Sequence, residues 1–288
     1  MPERRIAGTL ALAAALTIAA GAGHAADDAK YPDWKGAWGR FVVPGLGGQP
    51  SFDQTKPWEA GQQAPLTAEY QKILEDSVAD QARGGQGNFV GHAQCLPAGM
   101  PFMMVATRPL EFIVSPETTY ILVGGNDHYR RIFTDGRAWP DNIEPSYSGY
   151  SIGHWIDEDG DGRYDALEAE TRGPFKGPRA YDASGLPLAF DGQSVFKERI
   201  HLDKTDANLL HDEITVIDHA LTRPWTVDKR YVRHPKPHPD WVEAYCTEGT
   251  SLVFIGPDSY YLSGDGKLMP IRKDQPPPDL KYFNQAGK

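Results

Sequence analysis

Short runs of alternating apolar and polar residues dominate the middle and the C-terminal half of the chain. Ten such runs are separated by turn residues, and we predict a β-strand for each. They are Leu110–Val114, Thr119–Val123, Tyr129–Thr134, Tyr147–Ile156, Ser194–Leu202, Glu213–His219, Trp225–Val232, Trp241–Cys246, Ser251–Ile255 and Ser259–Leu262. Because the links have hairpin length, the pattern predicts an all-β, antiparallel fold that closes into a barrel or packs as a sandwich.

A helical pattern precedes these strands. Thr67 can cap a helix, Glu69 follows in the first turn, and the apolar residues Ile73 and Leu74 recur at helical spacing. We therefore predict one amphipathic helix that ends before Gly84.

The composition favours a globular, β-rich protein. Apolar residues make up 40% of the chain, and 30 glycines and 24 prolines interrupt it more often than a helical bundle tolerates. The formal net charge of −10 argues against nucleic acid and anionic membrane surfaces as main partners. The sequence shows neither a Gly-rich phosphate loop nor a nucleophile elbow, which disfavours kinases, nucleotide-dependent dehydrogenases and α/β-hydrolases.

The N-terminal segment has the pattern of a secretory signal peptide. Arg4 and Arg5 precede the apolar run Ile6–Ala20, and small residues follow. A membrane anchor is the alternative, but the run is short, and no later stretch is apolar enough to span a bilayer. We expect cleavage near Ala25 and a periplasmic or secreted protein. The predicted organisation is a signal peptide at 1–25, an N-terminal wrap with the helix at 26–94, the barrel at 95–263 and a Pro-rich tail at 264–288.

The two cysteines, Cys95 and Cys246, are expected to pair in an oxidising compartment. A bridge between them would tie the start of the barrel segment to a late strand and stabilise the fold by about 2–5 kcal/mol. Two separate buried thiols are the alternative, since sequence spacing does not show that the Cα atoms come within bridging range.

One segment has the ligand spacing of a calcium-binding loop. Residues 157–168 read D-x-D-x-D-G-x-x-D-x-x-E, in which carboxylates converge on one centre and the glycine makes a sharp turn. The predicted ligands are Asp157, Asp159, Asp161, the backbone carbonyl of Arg163, Asp165 and a bidentate Glu168. Calcium suits a bidentate carboxylate better than magnesium does. A strand leads into the loop, which favours a structural site over a sensor. A solvated acidic turn is the alternative.

Several segments resemble an uncharacterised family of secreted bacterial proteins. They are Cys95–Met104, Arg130–Arg137, Glu144–Trp155, Thr222–Val227 and Glu243–Glu248. The resemblance implies a lipocalin-like barrel and an exported protein, and it names no reaction. The chain departs from the family at the calcium-loop segment and at Leu188, where the family commonly has a histidine. No role of that histidine can therefore be carried over.

Candidate chemistry lies on the strand that begins at His128. Alternate side chains share a face, so His128 and Arg130 face one side and Arg131 faces the other. An arginine inside a barrel needs a carboxylate partner. The carboxylates that could supply it are Glu198, Glu243 and Glu248. Two interpretations stay open: an anion clamp with His128 or His154 as general acid or base, or a structural ion pair.

Together these features predict a calcium-stabilised, exported barrel that binds a small apolar or amphipathic molecule, because small barrels enclose one ligand-sized cavity. Two other classes stay open. One is an isomerase, lyase or hydrolase in the barrel interior, with an arginine that stabilises developing negative charge. The other is a structural envelope protein whose interior is packed solid.

Overall fold

The computed structural model describes residues 29–42, 51–57, 59–83, 97, 99–124, 128–176, 180–182, 184–236, 252–255, 258–263 and 266–277. Within these ranges the chain forms one α-helix and twelve strands. The helix α1 spans Ala68–Ala82, and the strands are β1 (Ala37–Arg40), β2 (Leu110–Val114), β3 (Thr118–Val123), β4 (His128–Phe133), β5 (Tyr150–Ile156), β6 (Ala166–Arg172), β7 (Val195–Leu202), β8 (Leu209–Ile217), β9 (Trp225–Arg233), β10 (Leu252–Ile255), β11 (Asp258–Leu262) and β12 (Leu268–Pro270). Short 3-10 helices lie at Glu59–Gly61 and Phe102–Val105.

Strands β1 to β9 form a closed barrel in chain order, and β9 pairs with β1. The predicted β-rich barrel is therefore confirmed, with nine strands instead of about ten. It is mixed rather than purely antiparallel, because β4 and β5 pair in parallel. Residues 134–149 separate these two strands, and a parallel pair needs a connection of this length to return the chain to the same end.

The barrel takes its first strand from the segment that the sequence pattern assigned to the N-terminal wrap. Trp38 of β1 pairs with Leu110 of β2 and with Arg233 of β9, and so closes the sheet. Four residues are too few for alternation to stand out in the sequence.

The chain after β9 also differs from the prediction. Strands β10 to β12 form a separate three-stranded sheet, and β12 lies within the predicted tail. The predicted strand Trp241–Cys246 lies outside the described residues, as do the signal segment 1–25 and both cysteines.

The predicted helix is present as α1, and its start is tied to the link between β8 and β9. The Thr67 hydroxyl accepts a hydrogen bond from the Tyr70 N–H at 3.4 Å, as an N-cap does. The Thr67 N–H donates to the Ala220 carbonyl at 2.8 Å. On the helix, Leu74 is buried in the main core. No helix in the described part of the chain is long and apolar enough to cross a membrane.

The inward positions of the barrel strands alternate with outward polar ones and are mostly apolar. The buried core residues of the strands include Leu110, Phe112, Ile121, Ile132, Leu167, Phe196, Ile200, Leu210, Ile214, Val216 and Val227. Met100, Met103 and Met104 belong to the same core. Burial of side chains of this size stabilises the fold by about 1.5–3 kcal/mol each. Several inward positions break the apolar pattern, and these carry the candidate site.

Candidate functional site

A fully buried ion pair crosses the barrel interior from β4 to β7. Arg130 is 1% exposed and Glu198 is 3% exposed. The Arg130 Nη1 donates to Glu198 Oε1 at 2.8 Å, and Nη2 donates to Oε2. Arg131, the next residue, lies on the outer face near the Phe133 ring. The structure therefore places one of the two arginines inside, opposite a carboxylate.

Neighbouring hydroxyls complete the shell of this guanidinium. Its Nε donates to the Ser151 hydroxyl at 3.2 Å, and Nη2 donates to the Thr171 hydroxyl at 2.7 Å. Four of the five N–H groups of Arg130 thus have acceptors within the protein. A guanidinium with four of its five N–H groups already hydrogen-bonded is typical of a structural ion pair, and it leaves little capacity to clamp an anionic ligand.

A second group of buried polar residues lies on β8, β9 and the segment before β7. We call Tyr181, Asp212 and Lys229 the interior polar cluster; they are 0%, 0% and 4% exposed. Asp212 and Lys229 are directly opposed across β8 and β9, and the Lys229 Nζ lies 4.5 Å over the Tyr181 ring. The Lys229 Nζ, the Asp212 Oδ1 and the Tyr181 hydroxyl have no hydrogen-bond partner among the described residues.

Tyr231 joins this cluster to the methionine segment. Its hydroxyl donates to the Met104 carbonyl at 2.6 Å and lies 3.3 Å from the Asp212 Oδ2. The hydroxyl has one proton for these two oxygens, and the shorter contact is the one with the carbonyl. A protonated Asp212 can donate a hydrogen bond back to Tyr231, whereas an ionised Asp212 cannot.

Burial moves the pKa values of this cluster in opposite directions. Burial and the charge of Glu198 raise the pKa of Asp212 well above its ordinary value, although Arg130 and Lys229 oppose this shift. Burial lowers the pKa of Lys229 to about 8, although Asp182 and Asp212 oppose the shift. Compared with exposed groups, the buried carboxyl group therefore favours its protonated form, and the buried amine favours its neutral form.

Sequence reasoning missed all three residues of the interior polar cluster. A signal existed for Lys229, because it follows Trp225 and Val227 at the inward spacing of β9, where a charged residue breaks the apolar series. Asp212 escaped attention because the predicted strand began one residue later, at Glu213. Tyr181 lies in an irregular segment, and the sequence of such a segment has no periodicity from which its contacts with the barrel could be predicted.

The two candidate histidines have different surroundings. His128 is partly buried at the start of β4, with its Nε2 2.8 Å from the Ser148 hydroxyl, and burial lowers its pKa. His154 is exposed on the outer face of β5, with its Nε2 3.4 Å from a Glu168 carboxylate oxygen. His154 therefore does not belong to the barrel interior.

The acidic loop connects β5 and β6 as a hairpin. Carboxylate oxygens of Asp157, Asp159 and Asp165 lie within 4.8 Å of one another. The Asp157 carboxylate accepts hydrogen bonds from the N–H groups of Gly160 at 2.8 Å and Gly162 at 2.9 Å. Both glycines have positive φ, 76° and 88°, a conformation that glycine adopts without strain.

The other two predicted side-chain ligands, Asp161 and Glu168, do not belong to this group. The Asp161 Oδ1 accepts from the Arg163 N–H at 2.8 Å. Glu168 lies on β6, where its carboxylate accepts from the Arg199 Nη1 at 2.7 Å. The structure thus brings together three of the five predicted side-chain ligands.

Leu188, which stands where the resembled family commonly has a histidine, is buried in the main core and serves packing. A comparison with protein-family models gives no match, and a comparison with curated proteins gives none either. The resemblance to the secreted family therefore stays a prediction, whereas the closed barrel of nine strands is a property of the structure.

Proposed function

We propose that the protein binds a small amphipathic molecule inside the barrel, with its polar group at the interior polar cluster. The observation that carries this proposal is the convergence of three buried polar atoms on Tyr181, Asp212 and Lys229 that lack a hydrogen-bond partner in the described part of the chain. The inward positions of the barrel are otherwise mostly apolar, as in ligand sites where a few polar groups fix the orientation of an apolar molecule.

Energetics favour a ligand with a polar group over a purely apolar one. A buried polar group without a hydrogen bond costs about 1–3 kcal/mol. A ligand that both donates and accepts can satisfy the Asp212 oxygen and the Tyr181 hydroxyl together, and so recovers part of that cost. A hydrocarbon leaves both groups unsatisfied.

Acid–base catalysis in the same interior is the second candidate function. The opposed pKa directions of Asp212 and Lys229 favour it, because both shifts move a group toward neutral pH, where it can exchange a proton with a substrate. In this interpretation Arg130 and Glu198 act on Asp212 through their charges. Besides burial, the charge of Glu198 raises the pKa of Asp212, and that of Arg130 lowers it.

Ligand displacement tests the binding proposal. We expect 1-anilinonaphthalene-8-sulfonate to fluoresce with the protein and decan-1-ol to displace it at lower concentration than decane. In Lys229→Met, the dissociation constant of decan-1-ol is expected to rise about tenfold, the loss of about 1.4 kcal/mol. Lys197→Met is the matched control, because Lys197 is exposed on β7. Equal displacement by decane and decan-1-ol, or equal affinity in both variants, would contradict the proposal.

We also propose that the acidic loop binds calcium as a structural ion. Support comes from the hard oxygen donors of Asp157, Asp159 and Asp165, which lie close enough to share one ion. Export through the predicted signal segment would bring the loop to compartments where modules of this kind bind calcium at about 10⁻⁴–10⁻³ M. Mutual repulsion of the three carboxylates is offset when a divalent cation binds.

Calcium removal is expected to destabilise the protein. At a calcium concentration about 100 times the dissociation constant, binding adds about 2.7 kcal/mol, so EDTA should lower the melting temperature by roughly 5–10 °C. Asp157→Asn should abolish most of the calcium effect, and Asp141→Asn, an exposed substitution elsewhere, should leave it intact. Glu168→Gln tests whether the Glu168 carboxylate leaves Arg199 and binds the ion. If it does, the effect of calcium on the melting temperature should be smaller in this variant. A melting curve that ignores both EDTA and added calcium would refute the site.

A further inference from the structure

We propose that Lys229 captures aldehydes in the barrel interior by forming an imine, so that the ligand class of the interior polar cluster is carbonyl compounds with an apolar body. This inference rests on the proposed function and names its ligand chemistry. The geometry that points to it is a buried amine opposite a buried carboxyl group, with the Tyr181 ring 4.5 Å from that amine; neither the amine nor the Tyr181 hydroxyl has a hydrogen-bond partner among the described residues.

The amine of Lys229 is placed differently from the paired lysines of the surface. Its Nζ has no hydrogen-bond partner among the described residues. Surface lysines instead lie beside carboxylates: Lys72 beside Asp76 at 2.9 Å, Lys197 beside Glu170 at 3.6 Å and Lys204 beside Glu158 at 3.5 Å. A lysine must lose its proton before its lone pair can attack a carbonyl carbon, and an ion pair opposes that loss.

Burial supports the same assignment. With a pKa lowered to about 8, a far larger fraction of Lys229 is neutral near pH 7.5 than of an ordinary lysine. Asp212 lies directly across the strand pair, and residues so placed have Cβ atoms about 4.5–5.5 Å apart. Burial raises the pKa of Asp212, and this shift favours its protonated form.

The chemistry balances with these groups alone. The Lys229 lone pair attacks the carbonyl carbon, the C=O electron pair moves to oxygen, and the amine proton passes to that oxygen to give a carbinolamine. Asp212 protonates the hydroxyl, water leaves, and the nitrogen lone pair forms the C=N bond. The proton on nitrogen returns to the Asp212 carboxylate. Aldehyde and amine thus become imine and water, with no change of oxidation state.

Tyr181 has a defined part in this sequence. Its hydroxyl is buried and has no hydrogen-bond partner within the described ranges, and its ring lies 4.5 Å from the Lys229 Nζ. It can therefore donate a hydrogen bond to the carbonyl oxygen while the amine approaches the carbon. Such a donor stabilises the negative charge that develops on that oxygen.

Reductive trapping on the full chain tests the inference. We expect trans-cinnamaldehyde with sodium cyanoborohydride at pH 7.5 to modify Lys229 at least tenfold faster than any other lysine, as read by peptide mass mapping. Asp212→Asn keeps the amine but loses the acid, and should slow labelling roughly tenfold or more. Lys197→Met should leave labelling of Lys229 unchanged. The preference should disappear in guanidinium chloride, which shows that it depends on the fold.

Labelling that follows surface exposure, with Lys229 no faster than Lys72 or Lys204, would overturn the inference. Displacement of the fluorescent probe by decan-1-ol, measured on the same preparation, separates the two levels of the proposal. Displacement without a Lys229 adduct overturns carbonyl capture and leaves amphipath binding standing. If decan-1-ol displaces no probe and no Lys229 adduct forms, both proposals are overturned.

Discussion

Replacing Arg130 by Met is expected to lower the free energy of unfolding by about 3–5 kcal/mol, because the Glu198 carboxylate is then buried without its partner. The hydroxyls of Ser151 and Thr171 also lose their charged donor. Denaturant titration measures the effect. Arg131→Met is the matched control, since its side chain lies on the outer face, 5.5 Å from the Phe133 ring, and should cost no more than about 1 kcal/mol.

The double variant Arg130→Met with Glu198→Leu separates an ion pair from a shape requirement. Buried pairs replaced by apolar residues of similar volume are often neutral or stabilising, so the double variant should recover most of the loss. Ligand displacement on Arg130→Met gives a second readout, because a saturated guanidinium should contribute little to binding. A stability equal to that of Arg131→Met would refute the structural ion pair. A complete loss of decan-1-ol binding with normal stability would show instead that Arg130 is a ligand clamp.

The sequence was informative where local pattern and global fold agree. Alternation in β7 and β9 identified both strands within a residue at each end, because each strand buries one face and exposes the other. The same alternation placed Arg130 and Arg131 on opposite faces of the sheet. Because a buried charge needs a partner, it also predicted a carboxylate opposite the buried arginine. These inferences need only the period of a strand and the cost of an unpaired charge.

The interior polar cluster could not be predicted in the same way. It depends on which inward positions of β8 and β9 face each other, and that register follows from the closure of the whole barrel. The parallel contact of β4 with β5 is equally non-local, since hairpin-length links elsewhere suggested a simple meander. In the acidic loop, the spacing of the carboxylates could be recognised in the sequence. The pairing of Glu168 with Arg199 could not, because Arg199 lies on the neighbouring strand β7.

Lys229 is expected to make stability depend on alkaline pH. Its pKa is lowered from 10.5 to about 8 in the folded protein by burial, while the charges around it, those of Asp182, Asp212, Arg40 and Glu198, modify the shift. Between these pH values the unfolded chain binds a proton that the folded chain does not. Stability therefore rises with pH across this window, by up to about 3 kcal/mol. Below pH 8 both states carry the proton, and above 10.5 neither does, so the contribution is constant outside the window.

The measurement is the difference in unfolding free energy between the wild type and Lys229→Met at several pH values. Tyr181 and Tyr231, whose pKa values burial raises, also titrate in alkali, but they are present in both proteins and largely cancel in the difference. Lys197→Met controls for the loss of one lysine from the exterior. We expect the free energy of unfolding of the wild type, relative to that of Lys229→Met, to rise between pH 8 and 10.5. Relative to Lys197→Met, we expect no change of this size. A flat difference would mean that the folded protein holds Lys229 as an ordinary ammonium ion, and capture of aldehydes at neutral pH would lose its nucleophile.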